Sequence, residues 1–528
     1  MPLTEPTRVK HTEINGVLNL LKTNRNKEAL EDSLKLSEKY PTSVPVIQLL
    51  SNSYIATGDY QSAIDEYSKL VNGEPHNPTL LKTLGSMYLK NKQPQNAILI
   101  YQKILEFAPK DAETHYKIGN AYFEKGDFTC AINSYENALT INPNFSSALY
   151  NLGNTFLTLK NFDKSVELFN KCLVVSPNHK GALGNIGIAL IESGNVEKAI
   201  KIFKSLIAIS PSPIAKEYLG RALLLKGQFQ KGWEYYEARL DVSNKYPVFL
   251  KQKARPFWNG EEGKDVFISP EQGIGDQILF MSIVKEAQKI CKTLTILVDK
   301  RIRSICKRSI PNIDFISTTE ELDDIDFDYQ LPIGSLPRLF RNNEINFLES
   351  DVGYLKADPK YVKHLKKKIN LSNRPLVGIS WASFNCLTSD KKSIELQKLQ
   401  KTLINLNCDV INLQYGNVKK EVEDFTNGVN FKFINDHGID VYNDIEGLAA
   451  LIELCDLVVT IPNITIQLTG ALGKKGWVII PTNPNYTWTD YRATSLWFPN
   501  VDIYRQKKIG NWTEVLIELE NMASKFFK

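Results

Sequence analysis

Two kinds of hydrophobic pattern divide this 528-residue chain. Up to Leu240, apolar positions recur at helical spacing, and the whole pattern repeats with a period of 34. Proline recurs at Pro41, Pro75, Pro109, Pro143, Pro177 and Pro211, each preceded twelve residues earlier by a small residue: Ala29, Ala63, Ala97, Ala131, Ser165 and Ala199. A second small residue (Ser51, Gly85, Gly119, Gly153, Gly187) recurs as well, and Tyr54, Tyr88, Tyr122 and Phe156 stand three places after the first four. Small residues at fixed offsets predict antiparallel helices that approach closely, with proline ending the second helix of each pair. Six repeats cover about residues 10–211. A seventh, one residue short, has Gly220 and Gly232 at its small positions and ends in Trp233-Glu234-Tyr235-Tyr236-Glu237-Ala238-Arg239-Leu240. The pattern predicts a tail over 1–12 and an α-solenoid of about seven repeats over 13–241.

A junction over 242–262 follows, with Pro247, Pro256, Trp258, Asn259 and Gly260; its aromatic content argues against a flexible linker. Beyond it, short apolar runs alternate with helical patterns. Val266–Ser269, Leu294–Val298, Ile313–Ile316 and Asp328–Ile333 read as strands, with helices from Asp276 and Lys300. The polar stretch Tyr354–Asn373 interrupts, its run Lys366-Lys367-Lys368 reading as a solvated helix face. The alternation then restarts with strands Leu376–Trp381, Asp409–Leu413, Asp456–Ile461 and Gly476–Ile480 and helices Ile394–Leu406, Gly447–Leu454 and Ile464–Leu472. Such alternation implies parallel sheets with crossover helices. The predicted architecture is therefore a solenoid followed by two Rossmann-type α/β lobes, 263–353 and 375–528, joined by 354–374. A cleft between the carboxyl ends of two such sheets suits a nucleotide and a second substrate.

Composition narrows the choice. A net charge of +5 over this length argues against a nucleic-acid binder. Seven scattered cysteines with no C-x-x-C pair read as reduced thiols and lead to an expected cytoplasmic location. Residues 1–7 show no apolar core, so no signal peptide is expected, and no apolar run approaches the ~18 residues of a membrane span. The six histidines lack metal-ligand spacing, so no metal site is expected. Asp324-Ile325-Asp326 and Asp326-Phe327-Asp328 match a D-x-D pattern but precede a strand, and read as an exposed acidic loop.

Chemistry concentrates at Glu271-Gln272-Gly273-Ile274-Gly275-Asp276, between a predicted strand and a predicted helix. Strand, glycine turn and helix start together aim backbone N–H groups and a positive helix end at a ligand. Asp276 has two readings: a catalytic carboxylate, or a helix N-cap beside ordinary turn glycines. In the second lobe, the helix opening near Asn463 suits a diphosphate, and Lys391 and Lys392 could supply fixed positive charge. Gln414 is a candidate nucleoside contact or a strand-end hydrogen bond; Glu446 is a nucleoside contact or a surface charge.

Tyr150-Asn151-Leu152-Gly153-Asn154 and Asn161-Phe162-Asp163-Lys164-Ser165 resemble the tetratricopeptide repeat. An ordered series follows in the second half. It comprises the 271–276 turn, Leu331-Pro332-Ile333-Gly334-Ser335-Leu336-Pro337, Val377-Gly378-Ile379-Ser380-Trp381-Ala382, Leu413-Gln414, Asp456-Leu457-Val458-Val459-Thr460, Thr469-Gly470-Ala471-Leu472-Gly473, Ser495-Leu496-Trp497-Phe498-Pro499 and Tyr504-Arg505-Gln506. With the repeats, this series resembles a bacterial family of tetratricopeptide-repeat glycosyltransferases with a GT-B catalytic half similar to the lipopolysaccharide heptosyltransferases of family 9 type. The resemblance implies inverting, metal-independent sugar transfer from a nucleotide-diphosphate sugar, with no further cofactor. It places Asp276 as base and Glu271, Gln272, Gly273 and Gly275 in an acceptor-side loop. It assigns Trp381, Lys391, Lys392, Gln414, Glu446, Asn463, Thr465, Gln467 and Gly470 to the donor side. The chain departs from the family pattern at Pro462, Asn463 and Gln467, where relatives often carry Asp-Thr and a histidine. The expected partner is a polypeptide or partner protein on the concave face of the repeats. The alternative is a repeat scaffold carrying a degenerate transferase half.

Overall fold

The computed structural model describes the chain apart from residues 1–8, 243–254, 272, 323–324, 349–351, 370, 384–392, 428 and 430. It divides into two compact units, Met1–Ala189 and Leu190–Lys528.

In the first unit the 34-residue pattern becomes helix pairs such as Ala112–Lys125 with Phe128–Ile141 and Ser146–Thr158 with Phe162–Val175. Asp59, Asn77, Asp111, Asp127 and Asn161 accept backbone N–H bonds at helix starts, which satisfies donors the helix leaves orphaned. The recurring prolines fall just past helix ends; Pro109 and Pro143 follow helices ending at Phe107 and Ile141. The recurring glycines have one physical cause. A Cβ at Gly85, Gly119 or Gly153 would drive into the ring of Tyr101, Tyr135 or Phe169 from the partner helix. Cys172 is fully buried among these contacts.

The second unit opens with the helices Val196–Ile209, Pro213–Leu225 and Phe229–Tyr236 and the turn Arg239–Val242. A parallel sheet follows: β1 (Asp265–Ser269), β2 (Thr293–Leu297), β3 (Asp314–Ile316) and β4 (Tyr329–Pro332), in spatial order β3-β2-β1-β4. The second sheet holds β5 (Leu376–Ser380), β6 (Asp409–Asn412), β7 (Phe433–Ile434), β8 (Leu457–Thr460), β9 (Gly476–Ile480) and β10 (Val501–Arg505). Its order, β10-β9-β8-β5-β6-β7, is parallel throughout. Counted from its own first strand this is the 3-2-1-4-5-6 order of a doubly wound sheet, whose ligands bind where the order reverses. The reversal lies between β5 and β8, and in the first sheet between β1 and β4. The strands are apolar on both faces, as sheets covered by helices on both sides require.

Several predicted boundaries move. The Asp276 helix starts earlier, at Ile274, and the Lys300 helix later, at Arg303. The predicted Ile394–Leu406 helix is a 3₁₀ turn, Leu396–Leu399, leading into Gln400–Asn405. The polar segment contains the helix Pro359–Lys368, with Lys366, Lys367 and Lys368 in its last turn, where cations favour the helix dipole. The two compact units divide at residue 189, inside the repeat array, because the end of the array packs into the lobes. Trp233 meets Tyr486 and Trp497 edge to face, Trp497 meets Phe280 and Phe347, and the Trp233 indole donates to the Arg341 carbonyl at 2.9 Å. Edge-to-face pairs of this kind add about 0.5–1.5 kcal/mol each beyond the area they bury.

His437 marks a pH-sensitive point beside the second sheet. Its Nε2 lies 2.8 Å from the Asn412 carbonyl and its Nδ1 accepts from the Ile439 N–H at 3.2 Å, which fixes a neutral ring. Burial pushes its pKa below the ordinary 6.5. The unfolded chain then binds the extra proton first as pH falls, so this stability is present above about pH 6.5 and is lost below it. Lowering the pH from about 7 to about 5 should reduce the thermal midpoint more in the native protein than in His437→Gln. Equal reductions would remove His437 from the account.

Candidate functional site

β1 ends at the reversal point of the first sheet, beside Gly273 and the helix Ile274–Met281. Gly273, in extended backbone at φ −86° and ψ 172°, is the N-cap of the helix Ile274–Met281. Asp276 is therefore the third residue inside the helix, which corrects the N-cap alternative. It is half-buried, and its N–H donates to the Gly273 carbonyl at 3.1 Å. Across from it, buried Tyr486 donates to the Tyr236 hydroxyl at 3.0 Å. Burial, then the charges of Tyr236 and Asp276, hold the Tyr486 phenol well above its usual pKa.

The second reversal point carries the opposing wall. Asn463 follows β8 and caps the helix Ile464–Ala471, accepting from the Thr465 N–H at 3.0 Å and donating to Ser380 Oγ at 2.8 Å on the neighbouring strand. Buried Thr465 Oγ1 and Gln467 Oε1 have no hydrogen-bond partner. The two helix starts lie against each other: a Cβ on Gly275 would sit 3.7 Å from Gln467 Cγ and 4.0 Å from the Ile464 Cα. Both distances are ordinary van der Waals contact, so the two helix starts pack directly on each other at Gly275. Each helix start carries roughly half a positive charge, so their convergence favours an anion, and Asp276 supplies one carboxylate there.

The structure thus brings together Gly273, Gly275, Asp276, Asn463, Thr465 and Gln467. Gln272, Lys391 and Lys392 lie outside the described residues. Glu271 is no open loop carboxylate: it receives a two-pronged bond from Arg239, Nε to Oε1 at 2.8 Å and Nη2 to Oε2 at 2.7 Å, and a third from the Gly334 N–H at 3.2 Å. The Trp381 side chain is only 1% exposed, and its indole donates to Glu421 at 2.9 Å. It belongs to the core of the second lobe rather than to a ligand surface. Gln414 accepts from the Trp381 and Ala382 N–H groups at 2.8 Å and donates to the Ala382 and Tyr415 carbonyls; these are strand-end bonds that tie β6 to β5. Glu446 is ion-paired with Arg308 of the first lobe at 2.6 Å. Gly470 packs under the ring of Phe498, which a Cβ would enter. Gly470→Ala should cost about 1–3 kcal/mol by overpacking, read as a shift of the urea midpoint; an unchanged midpoint would free Gly470 for a ligand role.

Arg239 is the residue that sequence reasoning missed. It is 6% exposed and also donates to Ser335 Oγ at 2.8 Å and to Glu237 at 2.7 Å. Burial opposes its charge, but the bond to Glu271 and the nearby carboxylates outweigh it and raise its pKa. Its signal was the departure of the seventh repeat from period, together with the density of aromatic and charged residues at the repeat's end.

Tetratricopeptide-repeat family descriptions match residues 54–120, 146–179 and 185–242, and a TPR-repeat description matches 119–160. The chain thus carries tetratricopeptide repeats across its N-terminal half. Protein FlbA of Caulobacter vibrioides (strain ATCC 19089 / CIP 103742 / CB 15) is 26% identical over 312 residues, which is 55% of this chain and 51% of that protein. The chain therefore spans about half the length of the curated relative it matches. Among solved structures, MamA is 28% identical, covering 30% of this chain and 94% of its own, with a TM-score of 0.28. YrrB, described as a TPR protein with an unusual peptide-binding site, is 19% identical and covers 35% of this chain and 97% of its own, with a TM-score of 0.30. No helix among the described residues is long and apolar enough to cross a membrane.

Proposed function

We propose that the protein is an inverting glycosyltransferase of GT-B type that moves a sugar from a nucleotide-diphosphate sugar to an acceptor recruited by its repeats. The observation that carries this reading is the meeting of two helix starts, from the reversal points of two parallel sheets, with Asp276 in the first turn of one of them. Asp276 takes the proton of the acceptor hydroxyl as its oxygen attacks the anomeric carbon. The bond from that carbon to the diphosphate breaks on the opposite face, which inverts the configuration. The departing negative charge is met by N–H groups of the Ile464–Ala471 helix start that Asn463 does not cap, and by its dipole. Unpartnered Thr465 Oγ1 and Gln467 Oε1 are available to the donor, the hydroxyl as a phosphate-oxygen donor. The repeats supply a surface for a polypeptide partner.

A second reading, a repeat scaffold with an inactive second half, draws on Glu271, Trp381, Gln414 and Gly470, all engaged in packing or internal hydrogen bonds. Calorimetry with a panel of nucleotide-diphosphate sugars, with and without a chelator, separates the two. Binding of one of them, undiminished by chelator, is expected. Loss on chelation would overturn the metal-independent mechanism, and silence across the panel would favour the scaffold.

A further inference from the structure

A cavity lies at the carboxyl ends of the first sheet, beside the helix that carries Asp276. It measures about 730 Å³, within the usual range for a site that encloses a ligand. Its floor is Ser269, Pro270, Glu271 and Gln277, which bracket Asp276 in sequence, and Gln277 is fixed there by the Asp299 N–H at 3.0 Å. Its roof comes from the repeats: Glu217 and Arg221 of the helix Pro213–Leu225, and Leu240 and Val242 of the final turn.

Two polar groups in the wall are unanswered. Ser269, 1% exposed at the end of β1, has a hydroxyl without a hydrogen-bond partner, and Arg221 Nε is buried without one. A buried polar atom left unmade costs about 1–3 kcal/mol, so each marks a place where a ligand can repay that cost. The formal charges around the cavity are otherwise matched within the protein: Arg221 with Glu217, Arg239 with Glu271, Asp299 with Arg301. That balance disfavours a diphosphate and favours an uncharged polar ligand. None of the described lining residues is aromatic; hydroxyls (Ser269, Ser317, Thr318, Thr319) share the wall with aliphatic and charged side chains. A sugar ring would find no flat face to stack on, whereas a short peptide segment would find both carbonyl-binding donors and apolar walls.

We propose that this cavity seats a serine- or threonine-bearing segment of an acceptor polypeptide, and that the last repeat is thereby part of the acceptor site. The inference rests on the transferase reading for its purpose, but its test needs no nucleotide, so the two can fail separately. Thr319 is exposed on the cavity wall, and Thr319→Cys introduces a thiol there. That variant is equilibrated in a glutathione buffer with three thiols: the peptide Ac-Ala-Ser-Ala-Cys-NH2, 1-thio-β-D-glucose and cysteamine. Intact mass and peptide mapping read adducts at the introduced thiol, separately from the native cysteines. The peptide adduct should survive about tenfold more reductant than the cysteamine adduct, equivalent to about 1.4 kcal/mol of contact, and thioglucose should match cysteamine. Adding Arg221→Leu should remove most of the peptide's advantage. Equal retention of all three thiols, or tighter retention of thioglucose, would overturn the proposal.

Discussion

Replacing Asp276 by asparagine is expected to lower sugar transfer about 10²–10⁴-fold, the range for losing a positioned acid–base group. Fold stability should change far less. Asp276 stands inside the first turn, with Gly273 as the cap, so the substitution leaves the cap in place and weakens a charge–dipole term of about 0.3–1 kcal/mol. Donor affinity should be retained or rise slightly, because a negative charge leaves the meeting point of two positive helix ends. Single-turnover transfer and donor calorimetry on the same protein check both halves. Near-normal turnover by Asp276→Asn would return this carboxylate to a purely structural role.

The largest effect on stability is expected at Arg239. Arg239→Met leaves Glu271 and Glu237 facing each other's surroundings without their shared cation. Breaking a buried pair from one side costs about 3–5 kcal/mol. The urea midpoint should fall accordingly. Arg239→Met with Glu271→Leu should recover part of the loss, because the uncompensated carboxylate is then gone. A single variant as stable as the native protein would mean that the end of the repeat array is held by its aromatic contacts alone. Glu271 is thus expected to act on structure first, by joining the last repeat to the first lobe, and on chemistry only through the position it gives the turn.

Much of this molecule is legible in its residues. The period of 34 announces the helix pairs because each small residue answers a ring in the partner helix, Gly119 against Tyr135 and Gly153 against Phe169. Runs such as Val377–Ile379 and Val458–Val459 announce buried parallel strands because both faces are covered. Other features are absent from any local pattern. The two-residue β7 is too short to show alternation, and Phe433–Ile434 gains its identity only by pairing with β6. At the site, Asp276, Asn463 and Gln467 are readable from turn chemistry. Their nearness is not, since it depends on how two separately folded sheets meet. Trp381 and Gln414 show the converse. As sequence, a tryptophan and a glutamine just after buried strands look like ligand contacts. In the fold, the same positions close strand ends, and their polar atoms are taken by Glu421 and by backbone groups. Side-chain type records the need for a hydrogen bond; it does not record whether protein or ligand provides it.

The measurement closest to the central claim is the release of free nucleoside diphosphate from a panel of nucleotide-diphosphate sugars, followed by chromatography in the presence of a chelator. The account predicts that the native protein releases diphosphate from one class of donor, slowly by hydrolysis and faster with acceptor, and that Asp276→Asn abolishes the acceptor-dependent part. A folded native protein that releases none from any donor, with or without added metal, would contradict it.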